Sequence, residues 1–264
     1  MTNPRLIAIT IVRNETGNYL TEWLKNIGSI ADYHVFLDDA SDDDTPAVIS
    51  RHLESHPGEL HRRKTSLFRE NEPALRGQLW EHVRRVARPG DWILIVDADE
   101  FYDHNLMRLK PQLLADRYPD VEVVKVSCLD MWNKTSYRTD GLWSPEYVDT
   151  RIIRYHDVPF GATGTELHLP PYPASTNLAQ NLKIWIPKIH LAYLRNGDKI
   201  RRYNFYTTNV SADTDPVSHR HAMSIADTDV QCTPYITPMY TLAAHLRGRW
   251  QNLHIRRTLK KYGK

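Results

Sequence analysis

A strand that is apolar on both faces needs a covering layer on each side, and the run Leu6 to Val12, LIAITIV, reads as such a strand. From Gly17 onward Leu20, Leu24, Ile27 and Ala31 recur at steps of three and four, which gives one apolar stripe on a helix. Val35 to Leu37 follow as a second short buried strand. Thr45 and Pro46 then stand at N-cap and first-turn positions of a helix whose inner face is Val48, Ile49 and Leu53. A third helix is expected around Pro73 to Ala87, with Leu75, Leu79, Val83 and Val86 on one face, and a strand at Trp92 to Val96. Strands alternating with helices imply crossover connections, so the expected fold class is α/β with a Rossmann-like, mostly parallel central sheet flanked by helices.

The later part of the chain is less regular. A helix over Leu106 to Tyr118 leads to a strand in VEVVKVSCL, and RIIRY and LKIWIPKIHLAYL supply further strands. GDKIRRYNFY reads as helical, and Met239 to Tyr262 as a last helix with Leu242, Leu246, Leu253 and Leu259 on a common face. There is no internal repeat or clear linker, so the expectation is one domain over residues 1–235 and a helical extension over 236–264. That extension concentrates the charge: seven Lys and Arg and no acid lie between His245 and Lys264, so the net +2 of the chain leaves −5 on the residues before them. A solvated helix face, an anionic membrane surface and nucleic acid are the three readings of such a tail. The longest apolar stretch, Leu6 to Val12, is far short of the roughly 20 residues that cross a bilayer, and the N-terminus lacks the order of a signal peptide. The expected location is the cytoplasm, with a peripheral contact at the inner membrane surface open through the tail. Cys128 and Cys232 show no zinc-ligand spacing and read as two reduced structural thiols.

The chemistry gathers at strand ends. In parallel α/β sheets ligands bind beyond the carboxyl edge, and both LDDAS and VDADE place acids there. If the strand continued, alternation would put Asp97 and Asp99 on one side, where two carboxylates repel unless a hard divalent cation neutralises them. Mg²⁺ or Mn²⁺ bridging to phosphate oxygens fits such a pair better than a closed zinc site.

ITIVRNE, VFLDDASDDDT and WILIVDADEF, in this order and spacing, resemble the nucleotide-sugar half of family 2 glycosyltransferases with the GT-A fold, over about residues 5–130. The resemblance implies that Val12, Arg13, Asn14 and Glu15 pack around the nucleoside and that Asp39, preceded by Asp38, contacts the base. It also implies that Asp97 and Asp99 form the D-x-D, Asp99 binding Mn²⁺ or Mg²⁺ most directly, and that Arg76 lies where the family often has polar contacts to the donor, a UDP-sugar by preference. Ala40 stands where the family's turn has glycine, and Asp44 where a second glycine is usual. The DADEF form is similar to members that elongate lipopolysaccharide and other surface glycans, which implies a glycan or glycolipid acceptor.

Residues 131–235 would then be the acceptor half. TRIIRYHDVPFGATGTELHLPP resembles a segment in which Glu follows His, but here Leu169 follows His168. Glu166 is the nearest replacement as general base, with Asp149, Asp140 and Glu146 as the other acids. KIHLAYLRNGDKIRRYNFY resembles the segment that closes over the diphosphate, which makes His190 a metal or phosphate ligand and Lys199, Arg201 or Arg202 a phosphate contact. Trp132, Trp143, Tyr147 and Tyr172 are aromatics able to stack on sugar rings. Inversion at the sugar carbon is the expected outcome. Three other readings stay open: a glycosyltransferase acting on a modified nucleic-acid base through the basic tail and residues 61–64, a nucleotidyltransferase, and a non-catalytic sugar-nucleotide module.

Overall fold

A computed structural model describes residues 3–161, 170–209 and 216–235. Strand β1 (Leu6–Val12) is the centre of its first half, lying parallel to β2 (Tyr33–Asp38) on one side and to β4 (Trp92–Ile95) on the other. β3 (Gly58–Arg62) adds a parallel edge beside β2. That pairing requires a glycine, because a Cβ on Gly58 would stand 2.5 Å from the His34 carbonyl oxygen.

Helices α1 (Leu20–Gly28), α2 (Thr45–Leu53) and α3 (Glu72–Val86) cover this layer. Alternation along β1 explains its apolar run: Leu6, Ala8 and Val12 pack with Trp23, Leu24 and Ile27 of α1, while Ile7 and Ile9 pack with Leu75, Leu79 and Val83 of α3.

The sheet continues beyond β4. With β5 (Glu100–Tyr102), β6 (Val123–Asp130), β7 (Ser136–Arg138), β8 (Val148–Arg154), β9 (Asn181–His190) and β10 (Cys232–Pro234), the order of the eight-stranded sheet is β3-β2-β1-β4-β8-β6-β9-β5. β7 and β10 form a separate antiparallel pair. The first four strands are parallel. β8 runs antiparallel to both β4 and β6, β9 is parallel to β6, and β5 is antiparallel to β9. One sheet therefore runs through both expected halves. Helix α4 (His104–Leu114) is capped by Asp103 and ends earlier than its apolar pattern predicts. Asp116 at φ 50° turns the chain, and Arg117 N–H closes the end on Gln112 O at 3.0 Å. Helices α5 (Asn196–Asn209) and α6 (Pro216–Met223) lie against each other. No helix among the described residues is long and apolar enough to cross a membrane. The helix expected over Met239 to Tyr262, the rest of the 236–264 extension and Glu166 lie outside the described residues.

Candidate active site

The sheet assembles the site through strand register. β4 stops at Ile95, and Asp97 to Glu100 form a turn closed by Glu100 N–H on Asp97 O at 3.0 Å. The expected strand alternation of Asp97 and Asp99 is thus replaced by a turn. The chain leaves the middle of the sheet and resumes at its far edge as β5, where Glu100 pairs with His190. His190 in turn pairs with Asp130 of β6, and Lys188 with Cys128. A cavity of about 520 Å³ opens over this edge, reached by Glu15, Asp97, Asp99, Asp149, His190 and Arg202 among others.

Beneath it lies a buried ion network. Glu100, 1% exposed, accepts from Lys188 Nζ at 2.7 Å and Arg151 Nη2 at 2.8 Å, and its other oxygen takes the Asp97 N–H at 3.1 Å. Lys188 Nζ also meets Asp149 Oδ2 at 2.8 Å, and Arg151 lies 3.6 Å from Asp97. Each buried charge is met by an opposite one, which is the condition for keeping it ionised. Desolvation acts to raise Asp97, but Arg151 and Arg76 outweigh it and hold the carboxyl below its usual range.

Asp99 stands between two cations. Arg202 Nη2 is 2.6 Å from Oδ2, and His190 Nε2 is 3.6 Å from Oδ1. The other face of the imidazole is fixed by Asp130, whose Oδ1 is 2.6 Å from Nδ1. Burial would push His190 down, yet Asp99 and Asp130 hold it well above the ordinary imidazole range. Two ligand atoms each about 2.1 Å from one ion and 90–120° apart lie about 3.0–3.6 Å from each other. Asp99 Oδ1 and His190 Nε2 fit that spacing, and a carboxylate with an imidazole held in one orientation is a donor set for Mn²⁺. Opposite them, burial drives the Glu15 carboxyl up to about 7, opposed by the Asn18 amide at 2.9 Å and reinforced by Asp99 and Asp97.

The other predicted residues divide. Arg76 lines the cavity, paired with Glu72 at 2.6 Å. Asp149 is half exposed and borders both this cavity and a second of about 460 Å³ that contains Lys125 and Tyr172. Burial raises its carboxyl, but Lys188 and Arg151 prevail and keep it below the normal range. Val12 is core, 1% exposed. Arg13 donates to Ser66 Oγ at 2.6 Å, and Asn14, at φ 54°, joins Ser41 and Asp42 in closing the β2 turn.

Asp38 and Asp39 are enclosed by protein donors. Both are 0% exposed, and neither borders the cavity. Asp38 accepts from Ser41 and from Arg62 at 3.2 Å. Asp39 accepts from Ser66 Oγ at 2.6 Å and from the N–H groups of Leu67 at 2.8 Å and Phe68 at 3.1 Å, with Arg63 at 3.3 Å. Two adjacent buried carboxylates need donors; the β2 turn and the end of β3 supply those of Asp38, and the loop after β3 those of Asp39, which thereby holds the loop that presents Phe68 to the cavity. Of the basic stretch 61–64, Arg62 and Arg63 are paired with these acids. The Lys199 ammonium donates to Trp132 O at 2.9 Å and lies over the Trp132 ring, away from the cavity lining, whereas Arg202, one helical turn on and offered with it by the sequence, borders the cavity. Trp143 is buried and Trp132 packs on Arg138, while Tyr147, 61% exposed, stands at the cavity rim.

Asp130, Arg151 and Lys188 join the site without being among the sequence-predicted residues. PKIH carries its signal in alternation, since Lys188 and His190 share a face of an otherwise apolar strand. Cys128, read as structural, lines the cavity, and its sulfur lies within 4.8 Å of ligand atoms of Asp130 and His190.

No protein-family model matches the chain, and no curated protein does. Solved structures do. A mannosyltransferase from Pyrobaculum calidifontis, PcManGT, in complex with GDP-Man and Mn²⁺ is 16% identical, with a TM-score of 0.50 over 99% of this chain and 73% of that one. TarS 1-349 of S. aureus matches at 15% identity, TM-score 0.49, over 84% and 69% of the two chains. Glucosyl-3-phosphoglycerate synthase from Mycobacterium tuberculosis, in complex with Mn²⁺, UDP and glucosyl-3-phosphoglycerate, matches at 12%, TM-score 0.48, over 88% and 87%. The match to the mannosyltransferase shows the fold: a GT-A-type α/β sheet flanked by helices.

Proposed function

We propose that the protein is a metal-dependent glycosyltransferase that moves a sugar from a nucleotide diphosphate sugar to a hydroxyl acceptor with inversion. The observation that carries this reading is Asp99, presented by a turn at the carboxyl edge of the sheet with His190 Nε2 at 3.6 Å and Arg202 at 2.6 Å, at the base of a sugar-nucleotide-sized cavity.

Asp99 and His190 would hold Mn²⁺ or Mg²⁺, with Asp97 beside them. The ion supplies charge neutralisation for the departing diphosphate. Arg202 is placed to exchange its Asp99 contact for a phosphate oxygen, and Arg76 adds a second guanidinium on the cavity wall. Asp149 is the base among the described residues: ionised at neutral pH and half exposed, it can take the acceptor hydroxyl proton as the sugar carbon passes through an oxocarbenium-like state. Lys188 and Arg151 orient its carboxylate. Tyr147 at the rim offers a face for an acceptor sugar, in keeping with a glycan or glycolipid acceptor. Support for a UDP donor is the sequence resemblance, whereas the mannosyltransferase of similar fold holds GDP-Man.

The test is thermal stability with UDP-, GDP- and TDP-sugars, in Mn²⁺ and in chelator, for wild type and Asp99→Ala. A metal-dependent rise with one nucleotide sugar, lost in the variant, is expected. No rise with any of them would overturn the sugar-nucleotide reading and leave the acids as a structural turn in a module of another kind.

A further inference from the structure

A second cluster of metal-ligating side chains lies outside this site, between β3 and α3. Glu59 and His61 are two residues apart on β3 and so share a face, and His82 of α3 stands over them. One ligand atom from each of the three lies within 4.8 Å of the others. The His61 and His82 rings are face to face, centroids 3.4 Å apart and 10° from parallel, so the two rings must tilt toward each other to direct their in-plane lone pairs at one ion. His61 Nε2 is 2.9 Å from Glu59 Oε1 but makes no hydrogen bond there, and His82 Nδ1 is likewise buried without a partner. A buried polar atom left unpaired loses its hydration without a compensating bond. Two such nitrogens beside a carboxylate point to an absent electrophile.

We propose that Glu59, His61 and His82 form a binding site for one divalent transition-metal ion, zinc foremost, separate from the Asp99 site. Two imidazoles and a carboxylate are a zinc donor set that leaves the fourth position to water. All three residues are part-exposed, so the ion has a path from solvent. Ligation needs neutral imidazoles and so strengthens as pH rises through the histidine range. The ion ties the edge strand to the helix. Because the chain runs from His61 through Arg63, which also reaches Gln78 of α3, to the loop whose N–H groups hold Asp39, the ion braces the wall that carries Phe68. Its role is structural, and it does not depend on the proposed transfer reaction.

The experiment uses the full chain stripped by chelator, with ZnCl₂ in a thermal melt and CoCl₂ in visible absorption, on wild type, His61→Ala, His82→Ala, Glu59→Gln and His190→Ala. At zinc a hundred times its Kd the wild-type melt is expected to rise by about 5–10 °C. Cobalt should give the intense visible bands of four-coordinate geometry. Both signals persist in His190→Ala and fall in the other three variants. Glu59→Gln keeps the side-chain volume, so it reports even if an alanine variant fails to fold. The proposal is overturned if wild type shows neither signal, or if they survive in the β3 and α3 variants and vanish in His190→Ala, which would place the ion at Cys128, Asp130 and His190.

Discussion

Asp130 Oδ1 lies 2.6 Å from His190 Nδ1 across the paired strands β6 and β9, and this contact decides which nitrogen of His190 faces Asp99. An imidazole with its Nδ1–H committed to a carboxylate can rotate little, so Nε2 is held at its 3.6 Å separation from Asp99 Oδ1. Asp130→Asn keeps the size of the side chain but replaces the anion. Mn²⁺ affinity measured by calorimetry is expected to fall about 10- to 100-fold, with the melting temperature in chelator little changed.

Arg202 Nη2 donates to Asp99 Oδ2 at 2.6 Å, so it competes with a metal ion for that carboxylate. Arg202→Ala is therefore expected to loosen nucleotide diphosphate binding while leaving binding of the bare metal ion intact or tighter, because a competing cation is gone. Titration of Mn²⁺ and of nucleotide into the same variant separates the two effects; equal losses in both would contradict the exchange.

Asp149→Asn removes the acceptor-side carboxylate without emptying its space. Turnover is expected to fall about 10²- to 10⁴-fold with donor affinity preserved. If the variant turns over normally, the base lies elsewhere in the chain.

Ala40 sits at φ 62°, in the left-handed region, at the position where glycine is common in the turns this chain resembles. Left-handed geometry costs a non-glycine residue about 1–2 kcal/mol, against roughly 0.5–1 kcal/mol of extra chain entropy for glycine. Ala40→Gly should stabilise the fold by about 0.5 kcal/mol, an increase readable in the urea midpoint, whereas most Ala→Gly changes destabilise.

His34 is 1% exposed, neither of its nitrogens has a partner, and burial with His52 and His56 nearby drives its pKa down to about 3. Its folded pKa lies below its unfolded value near 6.5, so the unfolded chain binds the extra proton between those limits. Stability is complete above pH 6.5 and declines as pH falls toward 3, by at most about 1.4 kcal/mol per pH unit for this residue. His52, lowered to about 4 by burial and His56, steepens the same limb. Chemical denaturation from pH 7 to 4 should show the slope, and His34→Leu should flatten it.

The three acid-ended motifs were legible because short-range rules govern them. LIAITIV and WILI had to be buried strands, and the stripes of Leu20, Leu24 and Ile27 and of Leu75, Leu79 and Val83 had to be helices packed on them. β3 was not, because GELHR has no apolar run and its strand exists through backbone pairing with β2. β5 was hidden for a related reason: three residues after a turn carry no periodicity, and their partner β9 is about 90 residues away in the chain.

Local pattern thus carried the layer structure and the placing of Asp97 and Asp99 at the carboxyl end of a buried strand, since both follow from side-chain period and strand direction; His190 became a candidate through the resemblance of KIHLAYLRNGDKIRRYNFY to a family segment. The roles of the acids needed distances between remote segments. Asp39 and Asp99 look alike in sequence, each an acid just after a buried strand, yet loop 66–68 folds onto one and closes it, while His190 and Arg202 leave the other facing a cavity. A carboxylate's function is set by which donors reach it first, and those donors arrive by sheet register and helix packing, which no spacing along the chain encodes.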